Sequence, residues 1–147
     1  MRIGRNYLAW GSLTFGILLV LGQALLARQR IADPERDLFD SLNRERSARR
    51  LSLLKWDEAL SRAARKHAEL MAEENVVLHQ LPGEPDLITR AQEAGASFSH
   101  ITENIGRSAD AGQFHDGWMH SPGHRANMLD KGIDSVGIAV VDRKSVV

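Results

Sequence analysis

An α+β domain behind a membrane-directed N-terminal segment is what the sequence predicts, and three observations carry the prediction. Helix-start signals recur at Asp33-Pro34, Asp57, Asp86, Asp110 and Ser121-Pro122, each leading into apolar residues at helical spacing. Near the C-terminus, Ser135 to Val141 sets Val136, Ile138 and Val140 in alternation with small residues, the pattern of a buried strand. Near the N-terminus, Asn6 to Ala27 is a run of 22 residues without a charge.

Length and composition bound the rest. A chain of 147 residues fits one domain plus an extension, here 31–147 and 1–30. Lys and Arg total 19 and so do Asp and Glu, so no net field attracts a phosphate backbone, and aromatics are too sparse for a base-stacking platform. Nucleic acid is excluded as a partner on these grounds. There is no cysteine, which removes disulfides, thiolate metal sites and a Cys nucleophile.

The uncharged N-terminal run is flanked by Arg2 and Arg5 before it and by Arg28 and Arg30 after it. Its length meets the roughly 20 residues needed to span a bilayer and exceeds the roughly 7 to 15 of a signal-peptide core. An uncleaved anchor is therefore favoured over a cleaved signal, whose best site would end at Ala27 behind an oversized Leu25. The domain is expected to face outside the cytoplasm, membrane-anchored, or secreted if the segment is cleaved.

The first helix of the domain opens at Pro34, with Leu38, Phe39 and Leu42 on its buried stripe. Arg44, Arg46, Arg49 and Arg50 sit at its end, where the helix dipole favours cations, and read as a solvated face. A second helix runs from the Asp57 cap to about Asn75 with Leu60, Ala63, Ala64, His67, Leu70 and Met71 on one face. His67 on that stripe reads as a packed, hydrogen-bonded core residue. His79 lies where helix gives way to the loop Pro82-Gly83-Glu84-Pro85, a place where functional side chains are displayed. A short third helix from Asp86 turns Leu87, Ile88 and Ala91 inward and ends at Gly95; Phe98 to Ile101 reads as a short strand. The fourth helix stacks Phe114 on Trp118 and leaves His115 exposed.

The densest stretch is Trp118 to Leu129, WMHSPGHRANML. Ser121-Pro122 starts a helix whose first turn holds His124, and the positive end of its dipole keeps that imidazole neutral and able to donate a lone pair. Arg125 and Asn127 are expected to point outward while Ala126, Met128 and Leu129 pack.

These segments, in this order, resemble the CAP or SCP-like domains, the family of cysteine-rich secretory proteins, plant pathogenesis-related proteins and venom antigens, and among them the bacterial, cysteine-free branch. The resemblance rests on Leu42-Asn43-Arg44-Glu45-Arg46, Leu54-Lys55-Trp56-Asp57, His67-Ala68, Met71-Ala72, His79, Glu103-Asn104-Ile105, Trp118-Met119 with Ser121 to Leu129, and Val136-Gly137. It implies a three-layer α-β-α sandwich around a small antiparallel sheet. It also implies a cleft in which His79 and His124 are the two histidines and Glu103 the first glutamate. The second cleft glutamate of cysteine-rich members falls on Ser121, preceded by His120. Relatives continue for about one strand more, so the C-terminal strand is expected to be truncated.

Two imidazoles and a carboxylate are a ligand set that can hold zinc or another divalent cation with one position open. His79, His124 and Glu103 are the candidate metal ligands, and Ser121 and His120 the further cleft residues. The favoured function is a membrane-tethered module that binds a small apolar or cell-envelope ligand in this cleft. A zinc-dependent hydrolase of peptide or cell-wall bonds is the alternative, with only His120 or Ser121 placed by sequence proximity to serve as base. An inert interaction domain is the second alternative. The missing second glutamate sets binding ahead of catalysis.

Overall fold

The computed structural model describes residues 34–108 and 111–141. The anchor expected over 1–30, the Asp33 and Asp110 caps and the end of the C-terminal strand lie outside the described residues. Among the described residues no helix is long and apolar enough to cross a membrane.

Local signals set most element limits. Helix α1 (Pro34–Ala48) begins on its proline and buries Leu38, Leu42 and Arg46, one residue per turn. Strand β1 (Lys55–Trp56) leads into helix α2 (Glu58–Glu74). The Asp57 carboxylate accepts from the Leu60 N–H at 2.9 Å to start α2, and Asn75 ends it in the left-handed conformation, φ 57°. Helix α3 (Leu87–Glu93) is capped by Asp86 through the Thr89 N–H and stops ahead of Gly95, φ +89°. Helices α4 (Ala111–His120) and α5 (Pro122–Met128) follow, then strand β2 (Ser135–Val136). Ser121 stands at the α5 cap position, but its side chain makes no capping bond, so Pro122 alone supplies the start signal. Ile88, expected inward, is half exposed, and Phe98 to Ile101 forms no strand.

The helices fall into two groups, α1 with α4 and α5, and α2 with α3. Strand β2 lies between them. Its Val136 packs on the core of Leu42, Leu54 and Met128, together with Trp118, Met119 and Ile133. The next residue, Gly137, touches the opposite group: a β-carbon there would overlap the backbone of Leu60 and Ser61 in the first turn of α2. This is the three-layer α+β sandwich. Its strand pair is parallel, Lys55 opposite Ser135 and Trp56 opposite Val136, rather than antiparallel as the resemblance implies. The long crossover through α2 to α5 that separates β1 from β2 permits this orientation. Among the described residues, the strand expected over Ser135 to Val141 is paired only at its first two residues. Farther along, the Val140 N–H donates to Glu35 Oε1 at 2.9 Å instead of to a neighbouring strand.

Arg46 is not part of a solvated arginine face. It is 1% exposed, with Nε donating to the Ser52 carbonyl (2.8 Å) and Nη1 to the carbonyls of Met128 (3.0 Å) and Asp130 (2.9 Å). Position 46 continues the Leu38-Leu42 stripe at four-residue spacing, so the helix carries it inward. Burial lowers its pKa, opposed by the charge of Asp130. Asn43, one residue from that stripe, exchanges two hydrogen bonds with the Leu54 backbone (3.1 and 2.8 Å) and aligns the connector into β1.

Two substitutions test this layering by urea denaturation of the full chain. Gly137→Ala should destabilise by about 1–3 kcal/mol through steric conflict with α2. Arg46→Leu should cost about 2–4 kcal/mol because three carbonyls lose a charged donor.

Candidate functional site

Four segments converge on one buried guanidinium. Arg90, on α3, has a side chain 6% exposed and lies between two carboxylates: Nη1 is 3.0 Å from Glu84 Oε1 and Nη2 2.8 Å from Glu103 Oε1. Nη2 also donates to the His79 carbonyl at 3.2 Å. His67, on the inward face of α2 and 2% exposed, sets Nδ1 2.8 and 3.0 Å from the two Glu84 oxygens. Arg90 Nη1 lies against both His67 Nδ1 and Glu84 Oε1, so the imidazole, the guanidinium and the carboxylate form one hydrogen-bonded set. His79 completes the set, its Nδ1 2.8 Å from Glu103 Oε2 and its side chain 63% exposed.

The loop that carries Glu84 is built around it. The Leu81 N–H donates to Glu84 Oε2 (3.1 Å) and Gln80 Nε2 to the Glu84 carbonyl (2.9 Å). Burial pushes the Glu84 carboxyl up, but the Leu81 N–H, His67 and Arg90 outweigh it and hold this group below the usual carboxylate range. The Glu103 segment is held from the other side. Asn127 Nδ2 donates to Asn104 Oδ1 (2.9 Å) and the Glu103 carbonyl (3.3 Å), Asn104 Nδ2 to the His124 carbonyl (3.0 Å), and Trp118 Nε1 to the Ile105 carbonyl (3.2 Å).

Of the residues singled out in the sequence, His79 and Glu103 meet directly. His124 lies in the first turn of α5 with its ring 6.3 Å from that of Trp118, and its carbonyl is its link to the Glu103 segment. His120 Nδ1 donates to the Asp116 carbonyl at 2.7 Å, so its ring closes the end of its own helix, and Ser121 occupies the turn into α5. The proposed metal set does not fit as arranged: among the described residues no group of three or more His, Asp or Glu side chains is placed to hold an ion. Both Glu103 oxygens are engaged, one by Arg90 and one by His79.

Sequence reasoning missed Arg90 and Glu84 as site residues and placed Asn127 outward. Arg90 had a signal, since it lies three residues from Leu87 and beside the buried Ala91; Glu84 had none, because a glutamate between glycine and proline in a loop reads as surface. His115, expected exposed, has a side chain only 12% exposed, with Nε2 3.8 Å from Glu45 Oε1.

The charged cluster forms part of the wall of a cavity of about 1120 Å³ in the middle layer. Leu38, Trp118 and Met128 line it from one helix group, Leu60, Ala64 and Arg90 from the other. Ligand sites commonly measure roughly 300–1,000 Å³, so the space is ample for a small molecule.

Residues 39–146 match the model of the family described as "CAP: Cysteine-rich secretory protein family". Among similar proteins, the Bacillus subtilis (strain 168) protein YkwD is 29% identical over 76% of this chain and 44% of its own length. The B. subtilis membrane protein YlbC is 32% identical over 75% of this chain and 32% of its own. This chain thus spans less than half the length of these relatives. An extracellular protein of Bacillus anthracis containing an SCP domain superposes with a TM-score of 0.72 at 32% identity, over 74% of this chain and 37% of that one. An outer surface protein of Borrelia burgdorferi shares the fold alone, at TM-score 0.67 and 20% identity, over 71% and 78% of the two chains.

Arg90→Met should destabilise the full chain by about 3–5 kcal/mol, because Glu84 and Glu103 would be left facing each other without a cation. The depressed Glu84 pKa makes stability pH-dependent with a fixed sign. Its contribution is complete above the unfolded carboxylate pKa of about 4.3 and is lost as pH falls through the lower folded value. Glu84→Gln should flatten that acid limb in denaturation midpoints measured between pH 5 and 2; an unchanged slope would show that Glu84 does not carry it.

Proposed function

We propose that this chain, which belongs to the CAP family of cysteine-rich secretory proteins, is a membrane-tethered extracytoplasmic module that holds a small apolar or cell-envelope ligand in its interior cavity. The single observation that carries this reading is the cavity of about 1120 Å³, whose wall is more apolar than polar and sets Leu38, Leu42, Trp118 and Met128 together with polar groups that include Arg90 and Glu103. A mostly apolar enclosure with a few placed polar groups is the usual form of a small-molecule site. The extracellular and membrane descriptions of two relatives support the location, and the uncharged run from Asn6 to Ala27 supports the tether.

Binding is favoured over hydrolysis by the state of Glu103. A general base needs an oxygen free to take a proton from water, and both Glu103 oxygens are held, one by a guanidinium. Arg90 already supplies the positive charge that a cation would otherwise bring to this carboxylate, so a divalent ion has no part in the proposal.

The test is a titration of the full chain, kept in solution by amphipol, with 1-bromodecane, whose bromine quenches tryptophan fluorescence on contact. Trp118 lines the cavity, so quenching should saturate. Ala64→Phe, which fills the wall, should weaken binding about tenfold, in line with an overpacking penalty of roughly 1–3 kcal/mol. Quenching that rises without saturation, or that ignores Ala64→Phe, would overturn the proposal.

A further inference from the structure

The sheet has an open edge, and the cavity lies along it. Ser135 and Val136 both line the cavity, whereas neither Lys55 nor Trp56 does, so the space adjoins β2 on the side away from β1. The Lys55 N–H donates to the Asp134 carbonyl and the Asp57 N–H to the Val136 carbonyl, both at 2.9 Å. Residues 134 and 136 thus turn their backbone groups toward β1, and alternation along an extended chain turns those of Gly137 and Ala139 the other way. The same count places the Val140 N–H on the β1 side, where it meets Glu35. Among the described residues, the backbone groups of Gly137 and Ala139 make no hydrogen bond. A row of such groups is a template for an added strand.

The space in front of them has the size of one. A strand in a sheet takes up roughly 3.3 Å along its axis, 4.8 Å to its neighbour and 10 Å between layers, so the cavity of about 1120 Å³ has room for about seven residues. We propose that this edge is a docking site for an extended segment of another polypeptide, which adds to β2 as a third strand between the two helix groups. The inference deepens the ligand-binding function argued above and rests on it, because the side chains of the guest take the apolar space of the same cavity. A strand supplies what a plain hydrocarbon lacks, alternate N–H and C=O groups at the spacing of the β2 edge. A hydrocarbon laid along β2 shuts water away from Gly137 and Ala139 and leaves their donors and acceptors unpaired, which is costly.

The lining also sets the composition of the guest. Val136 points to the core of Leu42, Leu54 and Met128, and Gly137 touches the backbone of α2. Ile138 and Val140 repeat the first orientation and Ala139 the second. A strand beside β2 lies between the same two layers, so its side chains alternate in the same way: large and apolar toward α1 and α4, small toward α2. An ionised side chain on the first of these faces would be desolvated without a partner.

The probe is a fluorescein-labelled peptide with seven central residues of alternating valine and alanine and a lysine at each end, its anisotropy read against the full chain in amphipol. Binding should saturate, and 1-bromodecane should displace the peptide. N-methylation of all the valines removes the donors of one strand edge, and of all the alanines those of the other. At least one of the two methylated peptides should bind about tenfold more weakly, the worth of one well-made hydrogen bond. Ala139→Pro, which removes a donor from the β2 edge, should weaken the unmethylated peptide by about the same factor while leaving 1-bromodecane quenching in place. Unchanged affinity of both methylated peptides overturns the inference, as does an Ala139→Pro chain that binds the peptide as before. If Ala139→Pro does not fold, the methylated pair decides alone. A bound peptide that 1-bromodecane does not displace lies elsewhere and also overturns it. A chain that sediments as a dimer and excludes the peptide gives the edge to a second copy, with the same consequence. Saturable 1-bromodecane quenching without peptide binding removes the inference and leaves the ligand-binding function standing; loss of both removes both.

Discussion

Arg90 is the residue on which the irregular half of this domain depends. A guanidinium is always charged and offers five donors in a rigid fork, so it can face two carboxylates and a carbonyl at once. Arg90 does this with Glu84, Glu103 and the His79 carbonyl. A lysine has three donors on a single nitrogen and lacks the planar fork that spans two carboxylates. The arrangement also explains how a helix as short as α3 persists. Seven residues are too few to be stable alone, but Asp86 closes the first turn of α3 and Arg90 anchors the last. The loop that bears His79 is fixed from below by the same fork, so the exposed imidazole stands on a buried ionic base.

Elsewhere the domain solves the same problem with side chains that bond to the backbone. A sheet of two-residue strands cannot position long connecting segments through its ladder. Arg46 takes carbonyls from the end of α5 and the turn after it, Asn43 mimics a neighbouring strand for Leu54, and Asn104 and Asn127 tie the Glu103 segment to α5. These contacts account physically for segments that sequence reading could only recognise as motifs. Asn43 and Arg46 are the working residues of Leu42 to Arg46. Asn104 is the working residue after Glu103, and Asn127 the one near the end of the His124 helix. Each is a polar side chain whose partner is a backbone group far away in the chain, and replacement by an apolar residue would strand that group.

What the sequence made legible was local. Asp57 and Asp86 start their helices, Asn75 and Gly95 end theirs, and Pro122 begins α5, because capping and left-handed turns depend on a few adjacent residues. The burial of His67 was legible from helical spacing, but its partner Glu84 was not, since a glutamate between glycine and proline reads as surface. Arg46 and Arg90 were hidden by the same rule, that charged residues are rarely buried unless paired. Spacing placed both on inward stripes, and the stripe was the better guide. The meeting of His79 with Glu103 came from family resemblance, and the strand orientation that resemblance implied did not hold for the pair observed.

The cavity opens to solvent, so water enters it when no ligand is present. Water is well accommodated only where it finds two to four polar partners, which the lining offers at Arg90 and Glu103 and along Ser97, Ser99 and Thr102. Along Leu38, Ala64, Trp118 and Met128 a water molecule has few such partners, and an apolar chain that displaces it regains dispersion contact without losing hydrogen bonds. Along those side chains the cavity thus favours a hydrocarbon over water.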